Sequence, residues 1–293
     1  MCGIVGIYLK SKKFEGSLGN MLSDMLINMG SRGPDSAGFA VYKEDEDENF
    51  KYSLCLNGAD YEKFKKEITN KITISNIEKN SDHVIMKSKD QPSDVIKMLN
   101  KNFNEISIVG YGKSIEIFKQ VGEPKDVVKK FNLKSFSGTH GIGHTRMATE
   151  SAITTDGSHP YSTGEDECLV HNGSLSNHNN LRRKLVKNGS VFKSENDTEV
   201  AAGYISDSLK NKNLKDTLKS GLNDLDGFYT FITGTRKGFA VLRDEIACKP
   251  AVIAETKDYV AIASEFQAMA HLPNVNQAKI FEPEPGVVYS WGN

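Results

Sequence analysis

Cys2 directly follows the initiator methionine, and that position gives one residue two chemical functions. Once Met1 is removed, the side chain offers a thiol and the chain end offers a free α-amine. An α-amine has a reference pKa of ~8 against ~10.4 for lysine, so an appreciable fraction is neutral near pH 7. A thiol is intrinsically nucleophilic through its thiolate. Nucleophile and base are then in place with no histidine required. The competing reading is a small residue in front of a strand.

Three further groups suit the same chemistry. Leu169-Val170-His171-Asn172-Gly173-Ser174 sets a polar Asn-Gly turn after an apolar strand. The Asn172 amide and the Gly173 N–H could together hold a developing oxyanion, although Asn-Gly is also the commonest hairpin dipeptide. Arg146, at a strand end, could clamp a carboxylate with its planar fork or sit in a plain salt bridge. Asp197, at a helix start, could receive an ammonium or serve as an N-cap. Arg146 and Asp197 together suit the head group of an amino acid.

Other suggestive patterns are weaker. Val109-Gly110-Tyr111-Gly112-Lys113-Ser114 ends like a phosphate loop, but Ser107 stands where the first glycine belongs. His140 and His144 lie four apart in a glycine-rich, strand-like segment rather than on one helix face, so no metal is expected there. His83 and His271 have no polar company that suggests catalysis. Cys55, Cys168 and Cys248 are scattered with no CxxC pair, as ordinary reduced residues would be.

The elements that must position these groups follow from periodicity. Residues 3–8 alternate glycine with Ile4, Val5 and Ile7 as a buried strand, and apolar residues from Leu18 to Met29 have helical spacing. Strands are expected near 39–42, 106–111, 141–146 and 167–171, then at 228–233, 239–243, 251–254, 259–263 and 286–291. Helices are expected near 93–99, 177–188, 197–209 and, briefly, 265–271. Strands cluster and helices cluster, which indicates a layered α+β fold in one domain over residues 2–293.

Composition narrows the class. Lys+Arg 37 against Asp+Glu 38 leaves a net charge of −1, so no basic field favours nucleic acid or an anionic membrane. No apolar run approaches the ~20 residues of a membrane span, and the amino end lacks a signal peptide's features. A cytoplasmic protein is expected.

Taken together, five separated segments resemble the class II glutamine amidotransferases, the N-terminal-nucleophile glutaminases. They are Met1-Cys2-Gly3-Ile4-Val5-Gly6, Arg32-Gly33-Pro34-Asp35-Ser36-Ala37-Gly38, Gly143-His144-Thr145-Arg146-Met147-Ala148-Thr149, Val170-His171-Asn172-Gly173 and Glu195-Asn196-Asp197-Thr198-Glu199. The resemblance implies a four-layer αββα sandwich and hydrolysis of L-glutamine through a Cys2 γ-glutamyl thioester. It implies Asn172 and Gly173 as the oxyanion hole. Arg146 would grip the substrate α-carboxylate, Asp197 its ammonium, Thr149 would line the pocket, and Arg32 would order the nucleophile. Met147 and Glu150 replace the tryptophan and histidine of sugar-phosphate-synthesising relatives, and residues near 50–105 resemble an insertion.

The resemblance implies a glutaminase domain over residues 2–293, and free ammonia made alone would be lost. The motifs look most like stand-alone glutaminase subunits of archaeal-type glutamate synthases, with similar subunits in N-methylglutamate synthases. The resemblance therefore implies a separate synthase subunit that consumes the ammonia, with any flavin in that partner and no cofactor or metal here. Two alternatives are a glutamine-binding regulatory subunit and a hydrolase of another γ-glutamyl amide.

Overall fold

The architecture comes from a computed structural model, which describes residues 2–44, 48–148 and 152–292. Alternating glycine and branched residues at the amino end form β1 (Gly3–Leu9), buried along nearly its whole length. It pairs antiparallel with β8 (His140–Arg146) on one side and β13 (Tyr259–Ala263) on the other. Beyond β8 lie β2 (Ser36–Tyr42) and β7 (Ile115–Val121). Beyond β13 lie β12 (Val252–Glu255) and β14 (Lys279–Phe281). The order among the described residues is β14-β12-β13-β1-β8-β2-β7. A second sheet runs β15 (Val288–Trp291), β11 (Gly238–Arg243), β10 (Gly227–Thr235) and β9 (Cys168–Leu175).

Both sheets are apolar on both faces because each is covered twice. Val5, Ile7, Phe39 and Val41 pack under α1 (Leu18–Asn28) and α4 (Pro124–Lys130). Ile4, Ile142, Val170, Ile232 and Ile262 fill the space between the sheets. Leu169, Leu175, Phe231 and Leu242 pack beneath α5 (His178–Lys187), α6 (Asp197–Leu209) and α7 (Leu214–Asp224). Helix, sheet, sheet, helix: this is the four-layer αββα sandwich expected from the sequence, and the class is α+β.

Residues 50–112 build a further sheet with its own core. It contains β3 (Phe50–Cys55), β4 (Ile74–Asn80), β5 (His83–Ser88) and β6 (Ser107–Gly112), with α2 (Tyr61–Thr69) and α3 (Pro92–Asn102). Tyr52, Leu54, Phe64, Val84 and Leu99 form its interior. Periodicity found α3 and β6 but passed over α2, where only Phe64 and Ile68 are buried, and β4, which is largely exposed. Helix α7 also went unread, and the helix expected at 265–271 is a single 3₁₀ turn, Phe266–Ala268.

The turn that resembled a phosphate loop joins β6 to β7, and it does hold an anion. The backbone N–H groups of Lys113, Ser114 and Ile115 donate to the Asp166 carboxylate at 2.9, 2.8 and 3.0 Å. The Ser114 hydroxyl adds a fourth bond at 3.1 Å. Asp166 thereby fixes the β6–β7 turn to the segment leading into β9.

Five imidazoles are buried: His83, His140, His144, His159 and His171. Burial disfavours their charged forms and lowers all five from the ordinary 6.5, His140 to about 4 and His144 to about 3. His83 is less isolated than its sequence context indicates. Strand pairing sets it opposite Cys55, and its Nδ1 lies 3.0 Å from Asp82. Asp82, His83 and Cys55 are the one potential metal-ligand group among the described residues, but Asp82 already accepts from Lys130 at 2.9 Å.

Two predictions follow from this packing. Asp166→Ala strands three backbone donors, each costing ~1 kcal/mol or more, so urea unfolding should show a loss of roughly 3 kcal/mol. The buried imidazoles stay neutral in the fold but take protons when unfolded. Their contribution is complete above pH ~6.5 and is lost as pH falls toward the folded values. Glu165 and Glu167, raised by burial, act in the opposite sense as they take up protons. Urea titrations from pH 7 to 4 should show stability falling by about 2 kcal/mol or more per pH unit near pH 5. A flat profile would contradict the buried-neutral assignment.

Candidate active site

The loop between α1 and β2 clamps the end of β8. The Asp35 N–H donates to the Arg146 carbonyl at 3.0 Å, and the Asp35 carboxylate accepts from the Ala148 N–H at 2.8 Å. Gly33 passes so close that a Cβ there would lie 2.3 Å from the Thr145 carbonyl carbon. This close approach is the physical reason for Arg32-Gly33-Pro34-Asp35: no side chain fits at the second position, and a carboxylate is needed at the fourth.

Cys2 sits at the open end of β1, beside the end of β8, with its Sγ 3.8 Å from the Met147 carbonyl oxygen. Arg32 Nε donates to the Cys2 carbonyl at 3.1 Å, and Arg32 Nη1 pairs with Glu265. Ser264 completes the anchoring: its Oγ accepts from the Ile4 N–H and its own N–H donates to the Ile4 carbonyl, both at 3.0 Å. Glu265 and Ser264 escaped the sequence reading. Their only signal there is a Ser-Glu pair closing the apolar run 259–263.

Asn172 and Gly173 do not form a hairpin turn. They lie within β9, which continues to Leu175 and pairs with β10 through Asn172↔Thr230 and Gly173↔Tyr229. Asn172 is 2% exposed and shares the inter-sheet face with Cys168 and Val170. Cys2 shares the alternation of Ile4, which faces the same space from the opposite sheet. The Asn172 Nδ2 makes no hydrogen bond among the described residues. A Cβ at position 173 would meet the Phe228 carbonyl at 2.1 Å, so only glycine fits there.

Arg146 ends β8, is buried, and donates to the Ala152 carbonyl at 3.2 Å. Asp197 is the first residue of α6, but the cap is Asn196, whose side chain accepts from the Thr198 N–H at 2.9 Å. The Asp197 carboxylate is thereby released from capping and instead accepts from the Leu175 N–H at 2.8 Å. Thr149 and Glu150, like Met1, lie outside the described residues.

Beneath these groups is a polar layer that sequence spacing did not indicate. His144 and His159 stack with centroids 3.8 Å apart. The His144 Nε2 lies 3.0 Å from the His171 carbonyl, joining β8 to β9. The Thr198 hydroxyl lies 2.9 Å from His159 Nε2 and 2.8 Å from His171 Nδ1. His144 is thus part of the site's support, in a segment that spacing treated only as a poor metal motif. Cys2, Arg32, Arg146, Asn172, Gly173 and Asp197 converge on one end of the sandwich. His83 and Cys55 belong to the added sheet.

Residues 144–271 match the glutamine amidotransferase domain family. The glutamine amidotransferase-like protein GlxB of Rhizobium meliloti is 50% identical over 295 residues, covering 99% of this chain and 98% of that protein. A glutamine–fructose-6-phosphate aminotransferase of Methanococcus maripaludis is 30% identical over 175 residues, covering 57% of this chain and 29% of that one. Among solved structures, the glutamine PRPP amidotransferase of B. subtilis superposes with a TM-score of 0.64 at 22% identity, covering 99% of this chain and 47% of its own. That last likeness carries the fold alone; the 50% identity to the Rhizobium protein carries the kinship. The chain belongs to the class II glutamine amidotransferases.

Proposed function

We propose that the protein hydrolyses L-glutamine to glutamate and ammonia at Cys2 and passes the ammonia to a separate synthase subunit. The observation that carries this reading is the buried Asn172 amide, whose Nδ2 has no acceptor among the described residues and which lies on the face of β9 that, with Val170, looks toward Ile4 on the strand Cys2 precedes. A buried donor left unmet costs ~1–3 kcal/mol unless something else accepts from it, and a developing oxyanion is such an acceptor.

The steps balance within the site. With Met1 removed, the Cys2 α-amine takes the thiol proton as Sγ attacks the substrate amide carbon. Negative charge gathers on the carbonyl oxygen, facing Asn172 Nδ2 and the Gly173 N–H. The C–N bond breaks as the α-amine returns the proton to the leaving nitrogen, giving ammonia and a γ-glutamyl thioester. Water then attacks the thioester through the same oxyanion geometry, giving a proton to the α-amine; the C–S bond breaks, that proton returns to Sγ, and glutamate leaves. Arg146 pairs with the α-carboxylate and Asp197 with the α-ammonium, which together select an amino-acid head group. Arg32 holds the Cys2 carbonyl so that the nucleophile keeps one orientation, and Thr149 adds to the pocket.

The partner reading rests on loss of product and on relatives. Ammonia released into water would be diluted, and one relative that matches end to end is named a glutamine amidotransferase-like protein. A glutamate synthase-type partner, carrying its own flavin in the cytoplasm, is the acceptor that the motifs favour. No helix among the described residues is long and apolar enough to cross a membrane.

Two measurements test the chemistry. Intact mass with a diazo-ketone glutamine analogue should show loss of Met1 and one adduct, abolished in Cys2→Ala. Cys2→Ala and Cys2→Ser should fold normally yet lose hydrolysis by several orders of magnitude, and a folded Cys2→Ala with the wild-type rate would end the mechanism. Asn172→Ala should cost about 3 kcal/mol of transition-state stabilisation, seen as a kcat roughly two orders of magnitude lower. An unchanged kcat would remove Asn172 from the oxyanion hole.

A further inference from the structure

Thr198 has more neighbours than a hydroxyl can satisfy in an arbitrary way. Its Oγ1 is buried and lies 2.8 Å from His171 Nδ1, 2.9 Å from His159 Nε2 and 3.3 Å from Asp197 Oδ1. A hydroxyl donates one proton and accepts through two lone pairs. A carboxylate only accepts, so the proton goes to Asp197. Both imidazoles must then donate, which places the hydrogens on His159 Nε2 and His171 Nδ1. The His171 carbonyl likewise only accepts, so His144 carries its hydrogen on Nε2.

An independent observation agrees. The nitrogens left over are His144 Nδ1, His159 Nδ1 and His171 Nε2, and all three are buried without a partner among the described residues. Under this assignment each is a bare lone pair. Any other assignment, or a protonated ring, would bury an N–H with nothing to receive it, which folded proteins rarely tolerate. One hydroxyl therefore settles the state of two rings, and the His171 carbonyl settles the third.

We infer that Thr198 is the positioning residue of the glutamine site, fixing the His159 and His171 tautomers and holding the Asp197 carboxylate in its receiving orientation. This rests on the glutaminase reading above. Asp197 has one oxygen on the Leu175 N–H and the other on Thr198, so neither rotation nor retreat is open to it. His171 immediately precedes Asn172, and the His144–His171 bond ties that point to the strand ending in Arg146. Thr198 thus touches the ammonium receptor directly and the oxyanion strand at one remove. Its loss should fall mainly on glutamine affinity.

The test pairs spectroscopy with kinetics. Long-range ¹H–¹⁵N correlation of the imidazoles at pH 7 should show neutral His144 and His159 with Nε2–H, and neutral His171 with Nδ1–H. Thr198→Val, nearly the same shape, should release His159 and His171 from these tautomers. It should also raise KM for glutamine about tenfold, the scale of one hydrogen bond to a charged group, with kcat changed less than about threefold. Thr198→Ser keeps the hydroxyl and should restore both tautomers and KM.

Different tautomers in the wild type would overturn the proposal, as would a folded Thr198→Val with unchanged KM. If Thr198→Val does not fold, the wild-type spectrum and Thr198→Ser decide: a folded Thr198→Ser that loses the wild-type tautomers refutes the hydroxyl's role. A wild type that never hydrolyses glutamine overturns the glutaminase reading instead, and the tautomer spectrum still decides whether Thr198 is the hub.

Discussion

Two sheets covered on both faces leave a dry space between them, and the whole site depends on that dryness. In such a medium an unmet polar group is expensive and a made hydrogen bond is strong. Nearly every polar atom at the site end is accordingly spoken for by a residue from a different element. Among the described residues the exceptions at this end include Arg32 Nη2, Ser36 Oγ and Asn172 Nδ2, and the lone-pair nitrogens of the three rings, which need no donor. A polar group aimed at something absent is easiest to recognise where everything around it is satisfied.

The same economy explains how distant segments are held in register. The loop 32–35 enters only because Gly33 lacks a side chain, and then fastens the end of β8 through Asp35. Arg32 turns from the same loop to the Cys2 carbonyl and to Glu265, which follows β13. Four stretches of chain thus meet at one peptide group. The nucleophile lies at a chain end, where backbone is ordinarily loose, and these bonds supply the order that its position denies it.

Much of this was readable in advance because polar residues interrupt apolar strands at Cys2, Arg146 and Asn172, and such interruptions stand out. Clustered strands and helices gave a layered α+β fold, and the family resemblance supplied the four αββα layers. What stayed hidden was pairing across distance. Glu265 and Ser264 lie more than two hundred residues from Cys2, and nothing local marks them. Asn172-Gly173 was misleading for the opposite reason: its strong local preference for a turn yields to eight residues of β10 that pair along β9. In the added sheet, α2 and β4 bury too few side chains to leave a periodic trace.

That sheet also has a simple relation to the rest of the chain. Tyr42, the last residue of β2, pairs directly with Ile115, the first of β7. Strands β2 and β7 are therefore the two arms of one hairpin, and residues 43–114 are its tip. Enlarging a hairpin tip costs little loop entropy, since that cost grows only with the logarithm of length. A short turn from Tyr42 to Ile115 would close the same arms. The layered core can thus acquire, lose or exchange this appendage without altering the strand order that builds the active site.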